Sequence, residues 1–424
     1  MAVELLCAAD FHLGRRTRRL PEGIDAAACS PAAAFSRLVD TALARRPDAV
    51  LLAGDVVDQD NAFFEAFGPL EAGVRRLIEA QLPVLAVAGN HDHQVLARLA
   101  DRIPEFVLLG RGGQWEAHPL ERDGRVLARI CGWSFPRRHV RENPMADWPR
   151  PEPGPLVVGL LHCDLGAGES LYAPVSCAEL EGAGAAAWVL GHVHAPRVLR
   201  GSDPLVLYCG SPQGLDPTET GPHGAWWIGL DGEGRTELEQ IPLCGLRWED
   251  LEIGLDGIDH REDFDKAVID GIRGLQPAMR EAGGDLRAVG CRLTLGGRTA
   301  IHDRIGAWIE ELTELRLPGE VSEFFVDKVR DEAAPALDLE QLARVADPPG
   351  LLARRIRALQ SGSGEEYQRL LHGARAGLEA MAGSSGYVGL GDPPLLDDGT
   401  VAELLRRAGI RLLEILLAQR GEGG

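Results

Sequence analysis

The chain has 424 residues, of which 45% are hydrophobic and 25% are charged, proportions that are ordinary for a soluble globular protein. This length exceeds one typical hydrophobic core, so two or three domains are expected. The formal net charge of −20 argues against a protein that coats nucleic acid through bulk electrostatics. It does not exclude a nuclease, because bound metal ions bring local positive charge.

The sequence contains no pattern typical of membrane insertion, secretion or disulfide bonding. No apolar stretch approaches the roughly 20 residues that a bilayer requires. The N-terminal segment MAVELLCAADFHLG lacks a basic start and leads directly into Asp10 and His12, which predicts a first strand instead of a signal peptide. The eight cysteines form no CxxC pair, so neither a disulfide framework nor a thiolate zinc site is indicated. We therefore expect a cytoplasmic protein that does not contact membranes.

Residues 1–245 have the pattern of an α/β domain. Five short apolar runs, VELLCAA, AVLLA, PVLAVA, PLVVGLL and AAWVL, predict strands, and helical periodicity fills residues 32–46 and 63–81 between the first three. Hairpin turns are predicted at Asp123-Gly124 and near Asp231-Gly232. The domain therefore combines an α/β layer with antiparallel strands, which is compatible with two packed sheets. The proline-rich segment 143–155 is predicted to be an excursion or linker outside the core.

The pattern changes after residue 245. Residues 246–331 predict a small α/β domain, and residues 332–424 predict a helical C-terminal region with a connector at 383–394. The segment GTVAELLRRAGIRLLEILLAQR is amphipathic, with a predicted apolar stripe at Val401, Leu405, Ala408, Leu412 and Leu416. That stripe either packs on its own domain or binds a partner.

Each of the five apolar runs ends in side chains that could bind a metal ion. In chain order these side chains are Asp10 and His12, Asp55, Asn90 and His91, His162, and His192 and His194. The carboxyl ends of neighbouring strands lie about 4.8 Å apart at one edge of a sheet, so these side chains can converge. Glycines precede three of the groups, at Gly54, Gly89 and Gly191, and permit sharp turns there. A loop position explains one such motif easily, but not five in succession.

The segments DFH, GD, GNHD, the single His162 and GHVH resemble the signature of the calcineurin-like metallophosphoesterases, in order and with no ligand missing. The resemblance implies a sandwich of two mixed sheets flanked by helices. It also implies two divalent metal ions that share a hydroxide, about 3.5–4 Å apart. One ion would be held by Asp10, His12 and His194, and the other by Asn90, His162 and His192, with Asp55 bridging the two. These donors suit Mn²⁺, Fe²⁺ or Zn²⁺, and the family favours Mn²⁺.

The same resemblance implies roles for residues beside the metals. His91 resembles the family histidine that contacts the scissile phosphate and protonates the leaving oxygen, and Asp92 would orient or polarise it. Asp58, which we also expect to be catalytic, stands near the second catalytic region, where archaeal and eukaryotic relatives carry a histidine, and is of the bacterial type.

Within the superfamily, ADFHLGRR and LYCGSPQGLDPTETGPHG resemble segments of the SbcD-type DNA double-strand-break repair exonucleases. This resemblance implies a two-metal DNA exonuclease/endonuclease that works as a homodimer with an SMC-like coiled-coil ATPase. It also implies a DNA-contacting capping domain at residues 246–331 and an ATPase-docking segment in the C-terminal region. The cluster Arg15, Arg16, Arg18 and Arg19 is either a DNA-backbone contact or a solvated loop. The alternatives are a phosphoesterase for small or protein-bound phosphates, and a non-catalytic scaffold, which would be expected to have lost ligands.

Overall fold

The computed structural model describes residues 2–17, 19–59, 62–151, 153–166, 168–231, 235–382 and 397–421. The helices of this part of the chain are α1 (Pro31–Arg45), α2 (Phe63–Glu79), α3 (Val95–Ala100), α4 (Cys177–Gly182), α5 (Arg261–Arg273), α6 (Gln276–Ala282), α7 (His302–Thr313), α8 (Leu339–Ala343), α9 (Pro348–Ser361), α10 (Glu365–Ala382) and α11 (Asp398–Gly421).

The strands are β1 (Val3–Ala8), β2 (Ala49–Ala53), β3 (Val84–Val87), β4 (Phe106–Leu108), β5 (Glu116–Arg122), β6 (Arg125–Trp133), β7 (Leu156–His162), β8 (Asp164–Leu165), β9 (Pro174–Val175), β10 (Ala187–Gly191), β11 (Arg197–Arg200), β12 (Leu205–Tyr208), β13 (Gly224–Leu230), β14 (Thr236–Pro242), β15 (Leu246–Gly254), β16 (Ala288–Gly296), β17 (Arg298–Thr299), β18 (Arg316–Pro318), β19 (Glu323–Asp331) and β20 (Ala334–Pro335). The chain forms two compact units, Met1–Ala334 and Pro335–Gly424.

The first unit contains the predicted pair of mixed sheets. One has the order β14-β13-β1-β2-β3-β4 and the other β11-β12-β10-β7-β6-β5. The five predicted apolar runs are β1, β2, β3, β7 and β10, which lie inside these sheets and not at their edges. Each of them pairs in parallel with at least one neighbour. Strands buried on both faces read as continuous apolar runs, which is why the sequence revealed them. The two-sheet α/β sandwich predicted from the sequence is confirmed.

A shared core lies between the two sheets, and helices cover the first sheet from outside. Leu5, Leu51 and Leu85 of the first sheet belong to the same buried cluster as Leu160 and Val189 of the second. A separate cluster on the outer face of the first sheet includes side chains of α1, α2 and α3. The helices predicted at 32–46 and 63–81 are α1 and α2, which end one and two residues early.

Both predicted hairpins are present. Strands β5 and β6 pair up to Arg122 and Arg125, on either side of the predicted Asp123-Gly124 turn. Strands β13 and β14 pair up to Leu230 and Thr236, and residues 232–234 of their turn lie outside the described residues.

The proline-rich excursion forms a short 3₁₀ turn at Pro144–Asp147. Its Trp148 ring packs on Trp188 of β10, with ring centroids 4.7 Å apart. The excursion therefore contributes to the second sheet's outer aromatic cluster, a contact that its composition did not predict.

The remainder of the first unit is a four-stranded sheet with the order β15-β16-β19-β18. Helices α5, α6 and α7 cover one of its faces through Phe264, Met279 and Ile305. On the other face, Trp248 and Phe325 pack in a cluster with Cys29. The division at residues 245 and 331 stays a prediction.

The second unit consists of α8 to α11. Leu359 of α9, Leu371 of α10 and Val401 of α11 belong to one buried cluster. The apolar stripe predicted along α11 is partly wrong, because Leu412 is 50% exposed while Leu413 is fully buried. On a straight helix, which turns about 100° per residue, Leu412 lies about 20° and Leu413 about 120° around the axis from Val401, so the helix period alone does not account for the exposure of Leu412. The predicted connector at 383–394 lies outside the described residues. Among the residues that are described, no helix has the length and apolarity needed to cross a membrane.

Trp188 provides a test of the second sheet. The side chain is fully buried, its Nε1 donates to the Leu180 carbonyl oxygen at 3.0 Å, and its ring occupies the space above Gly159 on β7. We expect Trp188→Ala to lower the free energy of unfolding by about 3–5 kcal/mol. Chemical denaturation measures this change. Phe64→Ala, at a side chain that is 86% exposed, is the control, and an equal loss in the two variants would contradict the assignment.

Candidate metal centre

The ligand-bearing strand ends of the two sheets meet. Asp10, His12 and His194 place one potential ligand atom each within 4.8 Å of one another, and so do Asp10, Asp55 and His162. Four of these residues, Asp10, His12, Asp55 and His162, are at most 2% exposed. Strands β1 and β2 of the first sheet and β7 and β10 of the second therefore direct polar side chains into one buried region.

Unusual backbone conformations position these side chains. Asp10, His12, Asp55 and His192 have φ angles of 53°, 52°, 48° and 100°, a region that residues other than glycine seldom adopt and that is enriched at functional sites. The backbone of His192 donates to both carboxylate oxygens of Asp10, at 3.1 and 3.2 Å. This contact joins the end of β10 to the end of β1, and so links the two sheets.

Two of the preceding glycines make the close approach possible. A Cβ atom on Gly191 would lie 2.1 Å from the Ala53 carbonyl oxygen, and one on Gly54 would lie 2.6 Å from Nδ1 of His162. Gly54 also has a φ of +90°. The sequence predicted sharp turns at these glycines, and the lack of room for a side chain is a second reason for them.

The first group contains two histidines whose Nε2 atoms face each other. His12 Nε2 and His194 Nε2 are 3.2 Å apart. The opposite nitrogen of His194, Nδ1, lies 2.8 Å from Glu219, and Nδ1 of His12 lies 3.3 Å from Asp58. A carboxylate accepts hydrogens, so Nδ1 of His194 carries the proton and the Nε2 lone pair of His194 points toward His12. Two imidazole Nε2 atoms are thus brought together beside the Asp10 carboxylate, and this donor set fits a metal ion.

The second group converges in the same manner. His162 Nδ1 donates to the Ala53 carbonyl oxygen at 3.0 Å. Its Nε2 faces Asn90 Oδ1 at 3.1 Å and Asp55 Oδ2 at 3.3 Å. The ring of His192 lies beside that of His162, with centroids 5.3 Å apart. Imidazole, carboxylate and amide donors are therefore brought together, and this set also fits a divalent ion.

The pKa shifts reflect this crowding. Burial alone would lower the pKa of His162, but the Asp55 carboxylate outweighs it and raises the pKa to about 9. Burial opposes ionisation of Asp55, yet His162 and His12 hold the pKa of its carboxyl below the usual range. Burial and His162 together lower the pKa of His192 to about 3. Without a metal, a proton on His162 therefore supplies the positive charge that this cluster requires.

The three residues predicted to be catalytic have different contacts. His91 lies at the cluster, with its backbone donating to Asp55 Oδ1 at 2.9 Å and its Nδ1 3.0 Å from the Asp58 carbonyl oxygen. Asp92 is fully buried and accepts from the backbones of Gly89 and Val57, at 2.8 and 3.2 Å.

These contacts bear on the predicted roles. Burial, and then Asp55, raises the pKa of Asp92 to about 8. Its carboxylate supports the backbone of the loop that carries His91, and the role of Asp92 in orienting or polarising His91 stays a prediction. The Asp58 carboxylate contacts His12.

A cavity of about 890 Å³ opens beside His91. Arg15, Arg16 and Arg19 line it together with Asp58 and His91. Arg19 also approaches Asp327 of β19 at 3.4 Å. Arg18, the fourth arginine of the predicted cluster, lies outside the described residues.

The sequence did not single out Glu219, whose carboxylate orients His194. The residue stands in the loop segment that resembles the DNA nucleases, so the resemblance indicated the loop but not this side chain. A glutamate 25 positions after a histidine carries no periodic signal, and only the tertiary structure brings the two together.

Comparison with known proteins agrees with this geometry. Residues 4–196 match the calcineurin-like phosphoesterase family. The chain is 33% identical over 227 residues to the uncharacterized metallophosphoesterase YhaO of Bacillus subtilis, covering 52% of this chain and 56% of that protein. It is 30% identical over 230 residues to the DNA double-strand break repair protein Mre11 of Aeropyrum pernix, covering 50% of this chain and 54% of that protein.

A third relative is the DNA double-strand break repair protein Mre11 of Halobacterium salinarum, 26% identical over 275 residues, with 63% of this chain and 65% of that protein covered. The matches thus span between 54% and 65% of the length of these three relatives.

The proton on His162 gives a test of the centre. Since its pKa is raised to about 9, His162 is protonated near neutral pH and a divalent ion must displace that proton. We expect Mn²⁺ binding to release protons, and its apparent affinity to rise by about tenfold per pH unit below about pH 9. Calorimetry in buffers of different ionisation enthalpy measures both quantities. His162→Gln should lose the proton release, whereas His260→Gln, at an exposed histidine, should keep it. Affinity independent of pH in the unmodified protein would contradict the assignment.

Proposed function

We propose that this protein, whose residues 4–196 match the calcineurin-like phosphoesterase family, is a two-metal-dependent DNA phosphodiesterase, an exonuclease/endonuclease of a DNA repair complex. The observation that carries the proposal is the convergence of potential metal ligands next to a cavity lined by arginines. The two relatives described as DNA double-strand break repair proteins support the choice of DNA over other phosphoesters.

We propose the predicted division of ligands for the two ions. Asp10, His12 and His194 would hold one ion, Asn90, His162 and His192 would hold the other, and Asp55 would bridge them. Bound divalent ions, for which we propose Mn²⁺, would supply an activated water and neutralise charge on the phosphoryl oxygens.

The chain's own residues would bind the substrate and move a proton. Arg15, Arg16 and Arg19 line the cavity and can hold backbone phosphates through their guanidinium groups. His91 lies between the ligand cluster and that cavity, where its ring can contact the scissile phosphate and protonate the leaving oxygen. Asp58 would act through His12, and Asp92 through the loop backbone that carries Asn90 and His91.

We further propose that the protein works in the cytoplasm as a homodimer with an SMC-like coiled-coil ATPase. All eight cysteines are free thiols, which fits a reducing compartment. Within the second unit, α11 exposes Leu404, Leu412 and Ile415, each about half accessible. An exposed apolar stripe of this kind supports a role in protein docking. The proposed domains are the nuclease domain at 1–245, the capping domain at 246–331 and the helical region at 332–424.

The decisive experiment is digestion of end-labelled DNA with Mn²⁺, with and without the ATPase. We expect the unmodified protein to cleave DNA, and His91→Ala to lose turnover by about 100-fold or more. His91→Ala should still bind Mn²⁺, because His91 is outside the proposed ligand set, and calorimetry checks this. His260→Ala, at an exposed histidine, is the control.

The same assay separates the alternatives. Hydrolysis of free nucleotides or a phosphoprotein with no activity on DNA would favour the small-phosphate phosphoesterase. Absence of activity on all three substrates would favour a scaffold. Loss of metal binding in His91→Ala would contradict the role given to that residue.

The arginine cluster is tested by the salt dependence of DNA binding. If Arg15 and Arg16 contact backbone phosphates, Arg15→Ala and Arg16→Ala should weaken binding to all sequences. Each should also reduce the slope of log affinity against log salt concentration by about 0.9. Fluorescence anisotropy at several salt concentrations measures the slope. Arg75→Ala removes an exposed arginine that is paired with Glu71 on α2, and this variant should leave the slope unchanged. Equal slopes in all variants would show that the cluster is a solvated loop.

A further inference from the structure

Glu219 joins the metal centre to the wall of the neighbouring cavity. One carboxylate oxygen, Oε1, accepts from His194 Nδ1 at 2.8 Å. The other, Oε2, accepts from the backbone of Leu215 at 2.9 Å and from the hydroxyl of Ser211 at 3.1 Å. The Glu219 side chain is only 16% exposed. This single carboxylate therefore makes three hydrogen bonds, one to a proposed metal ligand and two to a loop.

The loop held by Glu219 forms part of the cavity wall. Leu215, Asp216 and Pro217 line the cavity together with the arginines, and Arg15 donates to the Leu215 carbonyl oxygen at 3.5 Å. Two further contacts tie the backbone of this loop. Ser211 donates from its backbone to the His194 carbonyl oxygen at 2.9 Å, and Arg292 of β16 donates to the Pro217 carbonyl oxygen at 3.2 Å. The position of the wall and the position of His194 thus depend on the same short segment.

The contact between Glu219 and His194 also determines which ring nitrogen of His194 is available to bind a metal ion. Because a carboxylate can only accept, Nδ1 of His194 keeps its hydrogen and Nε2 presents its lone pair toward His12. Without Glu219 the ring can exchange its proton between the two nitrogens or rotate. Either change removes the lone pair from the gap between the two histidines.

We propose that Glu219 is a positioning residue that couples metal binding at His194 to the placement of the cavity wall. A metal ion bound at His194 fixes the ring, the ring fixes the Glu219 carboxylate, and the carboxylate holds the Leu215 amide and the Ser211 hydroxyl. The wall that faces the substrate is therefore ordered when the ion is present. This inference rests on the proposed metal ligands and is independent of the identity of the substrate.

The test replaces Glu219 and measures Mn²⁺ affinity and hydrogen exchange in the loop separately, without DNA. Glu219→Gln retains the size of the side chain, but its amide nitrogen cannot accept a hydrogen bond, so it cannot make all three contacts. We expect Mn²⁺ affinity, measured by calorimetry, to fall by about 10–100-fold. In the unmodified protein, Mn²⁺ should slow hydrogen exchange of the Leu215 amide. In Glu219→Gln at saturating Mn²⁺ this protection should be lost.

Two further variants keep the result interpretable. Glu249→Gln changes a glutamate that is equally buried, at 15% exposure, but is paired with Arg247. This variant should change neither the Mn²⁺ affinity nor the protection of the Leu215 amide. Ser211→Ala leaves the contact between Glu219 and His194 in place, so it should retain most of the Mn²⁺ affinity while the Mn²⁺-dependent protection of Leu215 decreases. If Glu219→Gln does not fold, Ser211→Ala decides the question by the same two measurements.

The proposal is overturned by either of two results. One is that Glu219→Gln binds Mn²⁺ as tightly as the unmodified protein. The other is that exchange of the Leu215 amide in the unmodified protein does not respond to Mn²⁺. Because no DNA is present, neither result can be confused with a failure of the proposed nuclease activity.

Discussion

The structure depends on one buried cluster of acceptor atoms that the two sheets bring together at their strand ends. The contact between the His192 backbone and the Asp10 carboxylate joins the sheets, and the glycines at the strand ends leave no gap there. The resulting cluster places the buried carboxylates of Asp10 and Asp55 against the imidazole ring of His162. A cation or a proton must therefore occupy it, and the raised pKa of His162 is the response of the metal-free chain.

The charge near this cluster differs from the net charge of the chain, which is −20. Arg15, Arg16 and Arg19 line the adjoining cavity, so a positively charged surface lies beside the ligand cluster of an acidic chain. The charge of the whole chain is therefore a poor guide to the charge at the site.

Much of the fold and most of the ligand cluster could be predicted from the sequence, for a physical reason. Parallel strands buried on both faces are continuous apolar runs, and polar residues directly after such runs stand at one edge of the sheet. Asp10, Asp55 and His162 could be found this way. The orientation of the Asp92 carboxylate could not, since it depends on which backbone amides a folded loop presents. The buried stripe of α11 was displaced because its neighbours in the second unit, and not its own period, decide which side is covered.

Two carboxylates that contact the histidines of the proposed metal site also restrict how the histidine rings can move. Asp58 and Glu219 come from different loops, and each contacts the Nδ1 side of one of the two histidines whose Nε2 atoms face each other. Neither ring can turn away from the gap without breaking a contact to a carboxylate. The strand ends that carry these rings are held by the core between the sheets, in which Leu51, Leu160 and Val189 are fully buried. A bound ion would hold the same strand ends together, so we expect metal binding to stabilise the sandwich.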